Sequence, residues 1–188
     1  MNGCLYSMSF SARHALSYNE ASHLSEATVR ASIKMQSINY QLVPPTSEQL
    51  SELIDIRLAA MKPSLVAIGR YDPKRAAERF ANSYDPEVTM CIVVSGEIVG
   101  FYVLRTYDDH LLLDHLYLHP EAQSSGIGTS ILTALKSAAA VKRMPLRLGA
   151  LRESESNEFY KRNEFVKTHE TDFDIHYQFT PSDCTGDS

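Results

Sequence analysis

The part of this chain best suited to chemistry is Leu116-Tyr-Leu-His-Pro-Glu-Ala-Gln123-Ser-Ser-Gly126-Ile-Gly128-Thr129. It leaves an apolar, strand-like run, turns at Pro120 and enters a helical pattern at about Gly126. A strand-to-helix turn with two glycines exposes several backbone N–H groups. They converge on one point and are backed by the positive end of the helix dipole. Such a nest binds a pyrophosphate. Glycine is required because a Cβ would hold the phosphate oxygens away. Ser124, Ser125 and Thr129 add hydroxyl donors. No Gly-Lys-Ser/Thr follows, so this is not a Walker loop. The preceding strand does not open a βαβ array, and no acidic residue ends a suitable second strand, so it is a poor Rossmann fingerprint.

Other reactive side chains give weaker patterns. His110, His115 and His119 are close in sequence, and His115 and His119 share a strand face, but no fourth ligand stands near them and we expect no metal. The three cysteines, Cys4, Cys91 and Cys184, are widely spaced and form no Cys-x-x-Cys pair. Neither a zinc ribbon nor a disulfide framework is indicated, and a reducing compartment, the cytoplasm, is the plain inference. Cys91 lies in an apolar run and reads as a small core residue.

The elements that must position the turn follow from periodicity. Ile38–Val43 reads as a strand stopped by Pro44 and Pro45. Thr46 and Gln49 have capping-box spacing, after which Leu50, Leu53, Ile54, Leu58 and Met61 recur at helical intervals, with Pro63 as the expected stop. Asp72-Pro73 starts a second helix that runs to about Asn82. Val88–Val94 and Glu97–Leu104 form a hairpin about Ser95-Gly96, and Gly100 marks a bulge. His110–Leu118 is a third long strand, Gly126–Val141 a helix, Leu146–Leu151 a strand and Ser154–Arg162 a short helix. Two strands follow near 165–169 and 173–179. This order is α+β: one domain, with a central mixed, mostly antiparallel sheet flanked by helices.

With these elements in place, Leu118-x-Pro120-x-x-Gln123-x-x-Gly126-x-Gly128 resembles the coenzyme-A-binding motif of the GNAT superfamily of N-acetyltransferases. Phe159-Tyr160-Lys161-Arg162-Asn163-Glu164-Phe165 resembles that family's Phe/Leu-Tyr-x-x-x-Gly-Phe element. The two motifs occur in the expected order with a strand between them, and the resemblance spans roughly Pro45 to Phe179. There are departures. The usual glycine before the last phenylalanine is Glu164, which points to Asn163 as the left-handed turn residue. The family's asparagine upstream of the tyrosine is Glu153, and Asn157 is the nearest amide.

The resemblance implies a GNAT-type domain over residues 38–180, with splayed strands at the coenzyme site and acetyl-CoA as co-substrate. Backbone groups of Leu116 and Leu118 would pair with the pantetheine arm like an added strand. Residues Gln123, Ser124, Ser125, Gly126, Ile127, Gly128 and Thr129 would hold the diphosphate, with Asn157 as a further contact. Tyr160 would protonate the leaving thiolate. The attacking amine has to lose a proton, since an alkyl ammonium has a pKa near ~10.4. Asp114 has the parity of Leu112, Leu116 and Leu118, so all four are expected on one face, with Asp114 as base or amine anchor. The bland alternative is that Asp114 pairs with Arg105 or Arg147. The implied reaction is acetyl transfer to a primary amine of a small molecule by direct attack in a ternary complex. The alternatives are acetylation of a protein N-terminus or lysine, and a non-catalytic acyl-CoA-binding domain. The family often dimerises through its C-terminal strands, which leaves a homodimer open here.

Bulk properties bound the rest. With 188 residues and 44 % hydrophobic side chains the chain can bury a core unaided. A net charge of −5 argues against a nucleic-acid partner. No run approaches the roughly 18 apolar residues of a membrane span. Residues 1–37 are Ser- and Ala-rich and read as a poorly ordered extension, with Met35 or Met8 as an alternative start, and residues 181–188 read as a loose polar tail. Asp108, Asp109, Asp172 and Asp174 offer the acceptor mouth an acidic rim.

Overall fold

The computed structural model describes residues 39–182. Expectations for residues 1–37, for Ile38 and for the tail beyond Ser182 lie outside the described residues. The elements are β1 (Gln41–Val43), α1 (Leu50–Ala67), α2 (Pro73–Ser83), β2 (Thr89–Val94), β3 (Glu97–Thr106), β4 (Leu111–Leu118), α3 (Ile127–Lys142), β5 (Leu146–Leu151), α4 (Ser156–Arg162), β6 (Val166–Glu170) and β7 (Asp174–Phe179). One sheet runs in the order β1-β2-β3-β4-β5-β7-β6. Every pairing is antiparallel except β4 with β5.

Local chemistry sets most boundaries. Asp72 accepts a hydrogen bond from the Arg75 N–H at 3.0 Å, and Pro73 begins α2. Ser95 and Gly96 both have positive φ (54° and 89°), as a two-residue turn between strands of right-handed twist requires. Pro63 does not end α1. It removes only the bond its own missing N–H would have made, and the helix continues to Ala67. The stop is Gly69, at φ 66°, where the Gly69 and Arg70 N–H groups return to the Val66 and Leu65 carbonyls.

The sheet separates two apolar layers. On one side α1 and α2 cover Leu53, Ile56, Phe80, Cys91, Phe101 and Val103, with Tyr117 packed against them. On the other, α3 and α4 cover Leu111, Leu113, Ile131, Leu132, Leu148 and Tyr177, with Leu116 and Leu118 at the margin. Cys91 is fully buried and its thiol is pushed up to about 11, chiefly by desolvation, so it is an inert core residue.

Two bulges shape the site strand. Ile92 faces Gly100 but Val93 faces Ile98, which leaves Val99 as an extra residue beside the expected bulge at Gly100. Val103 faces His115 but Leu104 faces Leu113, so Asp114 is the extra residue on β4. This second bulge corrects the parity reading. Beyond it the strand exchanges faces: Leu116 and Leu118 join Leu111 and Leu113 on the α3 side, while His115 and Tyr117 face α1 and α2. Asp114, which pairs with Arg105, does not share a face with Leu116 and Leu118.

Gly100 lies opposite Leu118, and a Cβ there would sit 2.5 Å from the Tyr117 carbonyl oxygen. Gly100→Ala must therefore push β3 from β4. The expected loss is about 1–3 kcal/mol of stability, measured by denaturant unfolding, together with weaker coenzyme binding.

Candidate active site

The opening that would take a coenzyme arm is a gap in the sheet. β4 and β5 pair only through Leu111, Leu112 and Leu113 with Leu146, Arg147 and Leu148. β5 then continues to Leu151 alongside β7, while β4 continues to Leu118 alongside β3. The His119 N–H bonds the Val99 carbonyl on β3 at 2.8 Å. By the alternation of an antiparallel ladder, Tyr117 is bonded toward β3, and the backbone groups of Leu116 and Leu118 point into the gap. The edge therefore offers backbone donors and acceptors that β5 does not use.

The gap ends at the glycine turn. Pro120–Ala122 forms one 3₁₀ turn, Ser124 has φ 57° and Gly126 has φ 89° as the N-cap of α3. The Ile127 N–H points to the Ser125 hydroxyl at 3.4 Å, and Ser125 donates to the Ala122 carbonyl. The N–H groups of Ser124, Ser125, Gly126, Gly128 and Thr129 have no protein acceptor among the described residues. These are the orphan donors of a helix start, gathered by two left-handed residues into an anion nest. Gly128 is needed for a second reason. A Cβ there would stand 3.0 Å from the Phe159 ring, so the glycine lets α3 close on α4. The exposed Gln123 turns its Nε2 back to donate to the Leu118 carbonyl at 3.0 Å and fastens the turn to the end of β4.

Three other expected residues sit differently. Asn157 is buried, donates to the carbonyls of Leu151, Arg152 and Ser154, and accepts from the Tyr177 hydroxyl at 3.0 Å. Its Nδ2 is committed to these carbonyls, so Asn157 holds the end of β5 in place. Glu164, not Asn163, takes the left-handed position (φ 68°), held by an ion pair with Lys136, while Asn163 Nδ2 donates to the Phe159 carbonyl. Asp114 accepts from Arg105 Nε at 3.1 Å, and Arg105 also reaches the Ser83 carbonyl and Asp85. The carboxylate is thus engaged on the α2 side of the sheet. The histidines separate as well: His110 bonds Asp109, His115 packs edge-on against Phe80, and His119 lies 3.9 Å from Glu121.

Tyr160 is nearly buried among Phe159, Phe165 and Tyr177. Its hydroxyl has no hydrogen-bond partner among the described residues and is not sealed from solvent. Burial raises its pKa strongly, and the nearby Tyr117 phenol adds to the rise, so it is a neutral donor at any working pH. Residues 86–167, which hold the gap, the turn and this tyrosine, match the family model for the Acetyltransferase (GNAT) domain. The chain carries a GNAT acetyltransferase domain. No curated protein sequence matches it significantly. Among solved structures the domain is similar to the PaiA N-acetyltransferase of Thermoplasma acidophilum in complex with coenzyme A, at 19 % identity and TM-score 0.64, over 76 % of this chain and 99 % of that one. Ard1 of Thermoplasma volcanium matches at 20 % identity and TM-score 0.56, over 76 % and 97 %. The ribosomal-protein-S18-alanine N-acetyltransferase of Escherichia coli matches at 16 % and 0.58, over 77 % and 95 %. At such identities the likeness is one of fold.

On the other side of the sheet, facing α1 and α2, lie Arg57, His115 and Tyr117. Tyr117 has a raised pKa, mainly through burial, opposed by Arg57 of α1. The Arg57 guanidinium lies 5.6 Å from the Tyr117 ring and 5.7 Å from Phe80. His115 is held neutral: desolvation lowers its pKa, Asp114 raises it, and Arg57 and Arg105 lower it. The loop after α1 meets the β6–β7 turn where Arg70 stacks 4.3 Å over Phe173. Among the described residues no helix is long and apolar enough to cross a membrane.

Gly126→Ala forces a β-carbon onto a left-handed backbone at about 1–2 kcal/mol. Titration calorimetry should show CoA bound roughly tenfold more weakly, with the melting temperature changed by only a few degrees.

Proposed function

We propose that this chain moves the acetyl group of acetyl-CoA to a primary amine of a small molecule, with both substrates bound at once and the amine attacking directly. The observation that carries this is the unpaired edge of β4 running into the free amides of Ser124, Ser125, Gly126, Gly128 and Thr129. An extended arm with amides at one end and a diphosphate at the other fits that sequence of donors and acceptors. Acetyl-CoA supplies the activated thioester.

The chain's own residues would do the rest. Leu116 and Leu118 hold the arm in register, and the nest fixes its diphosphate. Tyr160 donates a hydrogen bond to the departing sulfur. A thiolate near ~8.5 is a weaker base than this phenolate, so partial donation rather than complete proton transfer is favoured. The acceptor approaches from the α1 side of the gap between β4 and β5. Asp114 is already neutralised by Arg105, so we assign the proton acceptor to the neutral His115, whose affinity Asp114 raises. Much of the acceleration would come from holding the two reactants together.

A small acceptor is favoured by the Arg70–Phe173 contact, which joins the loop after α1 to the β6–β7 turn. A purely acyl-CoA-binding role would leave the unpartnered Tyr160 hydroxyl without a purpose.

Two measurements test this. Tyr160→Phe should lower kcat about 10- to 100-fold in a thiol-release assay. CoA affinity and melting temperature should be unchanged, because that hydroxyl holds nothing else in the protein. His115→Gln should cost about 100-fold in kcat/KM and remove the acid limb of the pH profile. Asp114→Asn, by withdrawing the charge that raises His115, should instead move that limb to lower pH while activity survives. Abolition of activity in Asp114→Asn with His115→Gln unaffected would return the base role to Asp114.

A further inference from the structure

The acceptor side holds a cation without a counter-ion. Arg57 sits on the inner face of α1, against Phe80 and Tyr117. Its Nη1 donates to the Ala76 carbonyl at 3.2 Å. Its Nε is buried and has no acceptor. No carboxylate pairs with it among the described residues, although Arg105, Arg147, Arg152, Lys136, Lys161 and Lys167 all have acidic partners. A buried, unsatisfied guanidinium donor is costly, and the usual partner for its Nε edge is a planar carboxylate held by two parallel bonds. The neighbourhood is mixed, since Asp114 and Asp174 both help raise the pKa of Tyr117, yet neither carboxylate forms an ion pair with Arg57. From Arg57 to Tyr71 the chain has no acidic residue, while Lys62 and Arg70 lie over Tyr71 and Phe173. Of the acidic rim expected from sequence, Asp109 is occupied by His110 and Arg147.

Tyr117 links this cation to the chemistry. It stands on β4 just beyond the bulge, with Arg57 over its ring, and its phenol is close enough to Tyr160 to raise that residue's pKa. An acceptor whose amine points at the thioester beside Tyr160 would therefore present its other end to Arg57.

Resting on the acetyltransferase reading, we propose that Arg57 receives a carboxylate of the acceptor, so that the substrate class is amino acids and not simple or polycationic amines. The fork of Arg57 fixes the carboxylate, its stem packs on Phe80, and the amine is left toward the gap. Glycine, alanine, phenylalanine, glutamate and lysine span the side chains to be tried, and β-alanine and 4-aminobutyrate span the spacing between amine and carboxylate.

Binding can be read without turnover. Calorimetry of the full chain saturated with CoA, titrated with the N-acetyl derivative of each acid and with its N-acetyl amide, should give at least one acid bound tenfold or more tighter than its amide. Arg57→Met should bring that ratio to within about twofold, and Arg57→Lys, which keeps charge and stem, should retain only part of it. In turnover, Arg57→Met should raise KM for the acid about 100-fold and change kcat/KM for the matched decarboxylated amine by less than about threefold. Acids and amides bound alike by the wild-type chain would overturn the proposal, as would a variant that loses both equally while melting normally. Failure of CoA itself to bind would instead overturn the acetyltransferase reading, and the acid–amide comparison on the free protein would still decide the role of Arg57.

Discussion

The site depends on strand pairing that is not made. β4 and β5 are parallel neighbours for three residues each and then part, which leaves the polar backbone of Leu116 and Leu118 facing a gap inside the sheet. A backbone edge in such a place has to find partners in water or in a ligand. Everything nearby serves to keep the strands apart without unravelling them. The bulge at Asp114 bends β4 at the point of divergence. The Asp114–Arg105 pair ties that bulge to the strand behind it and to the end of α2. On the other side Asn157 gathers the last carbonyls of β5 and bonds Tyr177 of β7, so β5 stays committed to β7.

The same constraint explains why the glycine turn sits where it does. A ligand lying along the edge of β4 leaves the sheet at Leu118, and the next groups it meets are the amides of the turn. Gln123 closes the Leu118 carbonyl, so the ladder ends cleanly before the nest begins. Gly128 lets Phe159 approach, which brings α4, and Tyr160 with it, to the flank of the gap. The glycine turn and Tyr160 are therefore coupled through packing. A change that widens the α3–α4 contact would disturb Tyr160 as well as the nest.

How much of this was legible in the sequence depended on the range of the interaction. The turn from Gln123 to Thr129 and the Ser95-Gly96 hairpin were readable because glycine and serine state a local backbone geometry outright. Most strand and helix limits were readable for the same reason. Asp114 was misplaced because a single extra residue reverses the parity of everything beyond it, and nothing in Leu112-Leu113-Asp114-His115 announces which residue is extra. The anchoring role of Asn157 was not legible because its partners are carbonyls of a turn and a tyrosine twenty residues away. Pro63 was given too much weight, since one missing N–H does not end a helix whose stop signal stands at Gly69.

Arg57 did leave a trace. It falls at the fourth position after Leu53 and the seventh after Leu50, on the apolar stripe of α1. A charged residue on a buried stripe is one that something must neutralise. In Asp114 and Arg105 the two charges neutralise one another within the sheet, and the pair reads as structure. In Arg57 the protein provides an aromatic bed, one carbonyl and one phenol, and stops short of a carboxylate. That contrast, between an ion pair closed within the fold and one left half made beside the gap, separates the polar groups that hold this site open from the one positioned to recognise what enters it.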